Sequence, residues 1–209
     1  QAIKGHSDLL KKASAERLLI EVTKLFYHGH GYQSWQLLKQ YGVINILFPG
    51  MAKLQEKNGE AYCHFIERSL KNTDKRFKSG QYLSTGYLFA VLLWPMYKER
   101  LKERKGPFSQ SYSQECMEKV LKEEGRVVSI PKRLQEAVMI IWQLQSDFKK
   151  KIKQANKVTK SPRFRAAYDF LVTLAQVDER EVQTALMWQS YAMKASQGRR
   201  EKGGHRREK

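Results

Sequence analysis

Cysteine is scarce in this sequence: 209 residues contain two, Cys63 and Cys116, far apart and in no CxxC pair. That excludes a thiol-rich zinc site and a disulfide framework, and it makes a reducing cytosol the simplest compartment. Long hydrophobic runs are missing too. The longest, Tyr87 to Tyr97, is closed by Lys98, far short of the roughly 20 residues that a membrane-spanning helix needs, and no charged-then-apolar leader opens the chain. A soluble protein is expected, with a membrane an unlikely partner. Because the chain starts at Gln1 in mid-pattern, it is also expected to be part of a longer protein.

Acidic residues are few, 21 against 39 lysines and arginines. Nucleotidyl transfer on two metals needs carboxylates held close together, commonly as D-x-D beside a Gly-Ser or Gly-Gly loop. Asp8, Asp74, Asp147, Asp169 and Asp178 are scattered, and Glu99 and Glu103 lie among Lys98, Arg100, Lys102 and Arg104 as an ion-paired helix face. His28 and His30 lack a third ligand nearby, so exposed polar residues are a better reading than a metal site. Gly29 and Gly31 stand after a helix, where they act as stop signals and not as a phosphate loop. No Ser or Cys nucleophile has a local base. On its residues alone the chain is not expected to catalyse a reaction, and no metal or cofactor is assigned to it.

What is present is an apolar content of 41%, enough for a real core in a chain of this length. Apolar positions recur every three or four residues while strand-like alternation hardly occurs, so an all-α fold is predicted. The first helix follows Ser14 as N-cap and carries Leu18, Leu19, Val22, Leu25 and Phe26, ending at Gly29 and Gly31. A short helix runs through Trp35, Leu38 and Tyr41, an apolar piece from Val43 to Phe48 closes at Pro49-Gly50, and another helix covers Glu60 to Phe77. Thr85 to Arg104 reads as a buried helix that kinks or breaks near Trp94, because Pro95 lies inside it. Beyond a Gly-Pro linker a helix spans Ser113 to Glu124; a long one after Pro131 lines up Ala137, Ile141, Leu144, Phe148 and Ile152. Ser161-Pro162 opens a helix burying Phe164, Ala167, Tyr168, Leu171 and Leu174, and Asp178 with Glu181 forms a capping-box start for the last, ending near Ala195. Residues 196–209 are rich in Gly, Arg, Lys and Glu without apolar side chains and read as a disordered basic tail. The division predicted is 1–109, 110–195 and 196–209.

The charge is polarised. Residues 1–147 hold 23 basic and 15 acidic side chains, a net of +8, whereas 148–209 hold 16 and 6, a net of +10 in under half the length. From Phe148 to Tyr168 the chain carries Lys149, Lys150, Lys151, Lys153, Lys157, Lys160, Arg163 and Arg165 and no acid. One lysine there is an ordinary solvated position, but eight like charges at close range call for a counter-charge, and a polyanion supplies it. Lys157, Lys160 and Arg163 gather at the start of a helix, where the dipole disfavours cations and backbone N–H groups favour phosphate. Arg165 has Asp169 four residues on, so an intrahelical ion pair explains it equally well.

Three stretches resemble a known family. Ile130-Pro131-Lys132-Arg133-Leu134, Ile141-Trp142-Gln143-Leu144-Gln145 and Pro162-Arg163-Phe164-Arg165-Ala166-Ala167-Tyr168-Asp169 are similar to the C-terminal region of bacterial poly(A) polymerases. Glu16-Arg17-Leu18 with Glu21, Gly31-Tyr32, Leu47-Phe48-Pro49, Leu70-Lys71-Asn72-Thr73-Asp74 and Phe89-Ala90 resemble the body of the same enzymes. The likeness covers nearly the whole chain except its tail, and the F-R-A-A-Y-D stretch favours this family over the related CCA-adding tRNA nucleotidyltransferases. It implies a template-independent enzyme that adds AMP from ATP to RNA 3′ ends with magnesium, built as a catalytic head, a neck, and helical body and leg regions that hold RNA. Residues 1–109 would then be neck and body helices and 110–195 RNA-binding helices. The family's Gly-Ser, D-x-D and E-D-x-x-R motifs have no counterpart here, so ATP and magnesium would belong to the parent enzyme and its N-terminal catalytic head. By the resemblance Glu16, Arg17 and Glu21 brace the neck and Lys132 and Arg133 touch RNA phosphate; the charge run adds Lys149, Lys150, Lys153, Lys157, Lys160, Arg163 and Arg165 as RNA-binding candidates. Trp142, Phe164 and Tyr168 are candidates for stacking on bases, although core packing suits Phe164 and Tyr168 better. Single-stranded RNA is the expected partner. The alternatives are a stand-alone helical adaptor for RNA or a protein, the body of a CCA-adding enzyme, and attachment to an anionic membrane through the tail.

Overall fold

The three- and four-residue spacing of apolar side chains becomes a succession of helices. The computed structural model describes residues 10, 12–58, 60, 62–81, 84–104, 106–107, 109–150 and 152–204, with side chains as far as residue 195. Among these the order is α1 (Ala15–Tyr27), α2 (Gly31–Gln40), α3 (Val43–Leu47), α4 (Pro49–Asn58), α5 (Cys63–Lys78), α6 (Thr85–Lys102), α7 (Gln110–Glu124), α8 (Lys132–Lys150), α9 (Ala155–Thr159), α10 (Phe164–Ala175) and α11 (Val182–Gly204). No strand occurs among the described residues, so the fold is all-α. Serines open three of the helices. Ser14 accepts the N–H of Arg17 at 3.3 Å, Ser84 that of Tyr87 at 3.3 Å and Ser109 that of Tyr112 at 3.4 Å, each satisfying an N–H that has no partner within its helix.

The chain forms two compact units, residues 1–139 and 140–209. The linker at 106–109, read from the sequence as the division, joins α6 and α7, which pack on each other within the first unit. In that unit α1 buries Leu18, Val22 and Phe26 and packs on α2 and α5, while Leu25 stays exposed. Gly29 makes the turn with φ +76°, a conformation that disfavours any side chain. Gly31, expected to be a stop, is instead the first residue of α2. Its N–H and that of Tyr32 donate to the two carboxylate oxygens of Asp74, at 2.8 and 2.9 Å, so a residue of α5 does the capping that His30 does not.

Pro49 likewise opens α4 rather than closing a segment, as a first-turn proline does. Helix α6 is buried from Gly86 to Leu93 and again at Pro95, Met96 and Tyr97. It continues through Pro95 as one helix, so of the kink or break expected near Trp94 the break does not occur. An internal proline costs roughly 3 kcal/mol, which packing on nearly all sides of the helix outweighs.

The second unit is built around Trp188. Its indole N–H donates to the Phe148 carbonyl at 2.9 Å, and its ring lies against those of Phe148 and Phe164. Buried Gln145 donates to the carbonyls of Ile141 and Ala167, at 2.9 and 3.1 Å, tying α8 to α10. The capping box foreseen for Asp178 and Glu181 is only half formed. Asp178 accepts the N–H of Arg180 at 3.1 Å, but Glu181 turns to Lys149 instead. Helix α11 runs on to Gly204 where disorder was expected after Ala195, because Gln, Arg, Lys and Glu prolong a helix that is already nucleated; 205–209 lie outside the described residues.

Candidate nucleic-acid interface

Three apolar anchors shape the basic segment of the second unit. Ala155, Val158 and Phe164 are buried, which leaves Lys153, Lys157 and Lys160 exposed and Arg163 half-buried over a short 3-10 turn, α9 and the turn into α10. Among the described residues these four cations form no ion pair with a carboxylate. Arg163 occupies the N-cap of α10 without a side-chain cap there. Ser161, expected to provide it, accepts the N–H of Arg163 at 3.4 Å instead, because the N–H of Ser161 still bonds to Val158 and prolongs the preceding turn.

The rest of the predicted run is differently placed. Lys149 donates to Glu181 at 2.5 Å, and the other oxygen of the buried Glu181 has no partner among the described residues. Arg165 lies 3.3 Å from buried Asp169, so the intrahelical pair accounts for it. Lys150 is exposed, and Lys151 lies outside the described residues. Lys132 and Arg133 are exposed at the start of α8, in the first unit. Glu16, Arg17 and Glu21 are all exposed on α1, Glu21 pairing with Lys24 at 3.1 Å. Trp142 and Phe164, each 1% exposed, are core and unavailable for base stacking; Tyr168 is half-buried, with its hydroxyl on the Ala185 carbonyl at 3.3 Å.

Glu99 is held below the usual carboxylate range by Lys102 at 3.1 Å and also faces Lys57, as the ion-paired reading of that helix face expects. Among the described residues no three His, Cys, Asp or Glu side chains converge in the manner of a metal site. Sequence reasoning passed over Glu124. It is buried beside the start of α4, where it accepts the N–H of Gly50 at 3.0 Å, and burial pushes its carboxyl up to about 7. No local signal marks it, since Gly50 is 74 positions away.

Together these features define a class: an all-helical protein with an acid-free cationic segment displayed on a buried aromatic core. Residues 106–209 match the family model "Polymerase A arginine-rich C-terminus" and residues 1–54 match "Probable RNA and SrmB- binding site of polymerase A". The chain is 34% identical over 186 residues to proteins named Poly(A) polymerase I from Escherichia coli O157:H7 and Salmonella typhimurium, covering 86% of this chain and 40% of each relative. The namesake from Haemophilus influenzae is 30% identical over 197 residues, covering 91% of this chain and 44% of its own length. The chain belongs to the bacterial poly(A) polymerase family, in the C-terminal region that these two models describe.

Proposed function

We propose that this chain is the RNA-holding part of a polyadenylating nucleotidyltransferase, gripping single-stranded RNA while the rest of such a protein transfers AMP from ATP to the RNA 3′ end in the cytoplasm. The observation that carries the reading is the group Lys153, Lys157, Lys160 and Arg163, four cations without a carboxylate partner among the described residues, beside a helix start with no side-chain cap. Phosphate there would receive both side-chain charge and backbone N–H groups. Lys149 and Arg165, being paired, serve first to hold the second unit together. ATP and magnesium are assigned to the remainder of such a protein, because the Gly-Ser and D-x-D motifs that serve nucleotidyl transfer have no counterpart in this sequence. Lys132 and Arg133 provide a separate contact to phosphate, and Glu16, Arg17 and Glu21 the exposed face that braces the neck.

The test is binding of the chain to fluorescent oligo(A) RNA at low and moderate salt, beside a variant with Lys153, Lys157, Lys160 and Arg163 changed to alanine. Four lost phosphate contacts should make the logarithmic salt slope shallower by about 3. A wild-type affinity unmoved by salt sinks the proposal, and an unchanged slope in the variant removes this segment from it.

A further inference from the structure

Helix α5 presents a second basic surface, in the first unit and in the interval between residues 54 and 106 that neither family model covers. Its exposed residues are His64, Arg68, Lys71, Lys75 and Lys78, and no others. They follow at intervals of four, three, four and three, which places them in one stripe. Across 14 residues at 1.5 Å each the stripe is roughly 21 Å long.

Both acids of the helix are turned away from it. Asp74 caps α2 through the N–H groups of Gly31 and Tyr32, and Glu67 accepts from Gln36 at 3.2 Å and Lys39 at 3.4 Å. Lys71, Lys75 and Lys78 face no carboxylate among the described residues. Lys71 is held over the ring of Tyr32, 4.2 Å from its centroid.

The helix dipole accounts for cations in the last turn, where Lys75 and Lys78 lie. It does not account for Lys71, a turn earlier, or for a face on which neighbouring like charges destabilise the helix and no acid is interleaved. We propose that this stripe is a phosphodiester track: Lys71, Lys75 and Lys78 bind successive phosphates of a single RNA strand. The stripe is one side chain wide and linear, and with one charge per roughly 3.4 Å of a stacked strand it can accompany about six phosphates. A membrane-surface helix would need apolar side chains exposed beside the basic ones, and α5 exposes none.

The track goes beyond the grip assigned to the second unit, and the two are tested side by side on the full chain. The Lys71→Gln, Lys75→Gln, Lys78→Gln variant is compared with wild type and with the four-alanine variant, measuring oligo(A) affinity against salt. Loss of affinity on the order of tenfold at low salt and a slope shallower by about 2 are expected, with the triple Lys→Arg variant retaining wild-type binding. Single Lys→Gln changes, each expected to reduce the slope by about 0.7, serve if the triple variant has a lowered melting temperature. Wild-type slope in the glutamine variants overturns the track and leaves the proposed function standing. The reverse pattern, with the glutamine variants impaired and the four-alanine variant normal, supports the track and removes the second-unit grip. No RNA binding by wild type overturns both. Sedimentation with phosphatidylserine vesicles that depends on these lysines while RNA binding does not overturns the track in favour of a lipid surface.

Discussion

Glu124 shows how far a single residue depends on its surroundings. In the sequence it is one of two adjacent glutamates at the end of a helix; in the fold it is 4% exposed and bonded to Gly50, with Glu123 adding to the upward push of burial and the Gly50 N–H, Lys53 and Arg100 opposing it. Its folded pKa of about 7 stands above the ordinary 4.5. Between these values the folded state keeps a proton that the unfolded chain has shed, so stability falls as pH rises from about 4.5 to 7 and stays lower above that. Glu124→Gln retains an acceptor for Gly50 and removes the buried charge. It should raise unfolding free energy at pH 8 by up to about 3 kcal/mol and flatten its pH dependence, measured by urea denaturation from pH 5 to 8. Trp188→Ala, which empties the aromatic centre of the second unit, should cost that unit about 3–5 kcal/mol in the same measurement.

At the scale of elements, capping decides more than propensity. Helices α1, α6 and α7 start at serine caps, of which Ser14 was read from the sequence, whereas α2 starts at a glycine and depends on Asp74, 43 residues on. Asp74→Ala removes two charge-assisted bonds from that terminus and should cost roughly 2 kcal/mol. Hydrogen exchange locates the effect: the amides of Gly31 and Tyr32 should exchange faster while those inside α6 keep their protection. The same separation leaves the outer face of α5 wholly basic, because each of its acids has a task toward α2.

For the molecule as a whole the net charge of +18 acts at a distance and the local cation groups act in contact. The two are separable. Replacing Lys153, Lys157, Lys160 and Arg163 by alanine lowers the net charge only to +14, counted from the sequence, so electrostatic steering largely survives. Stopped-flow mixing with oligo(A) should show association slowed less than about threefold at low salt, and most of the lost affinity appearing as faster dissociation. A change confined to association would mean that the segment steers RNA without holding it.

Helical class and most core positions were legible in the sequence, because the periodicity of Leu18, Val22 and Phe26, or of Ala137, Ile141, Leu144 and Phe148, is itself the record of which face is buried. The Ser14 cap and the acid-free run were legible for the same reason, since cap and charge are local, whereas Ser161 failed as a cap because its own N–H prolongs the preceding turn. What the sequence left open was every feature set by a distant partner. Only the tertiary structure showed Gly31 starting a helix under Asp74, α6 passing through Pro95 inside its packing, Lys149 claimed by Glu181 while Lys153, Lys157, Lys160 and Arg163 meet no carboxylate among the described residues, and Glu67 and Asp74 turned inward beneath a basic stripe. Periodicity tells which side of a helix is buried; what that side meets, and hence which charges remain for a ligand, is decided by packing between segments far apart in the chain.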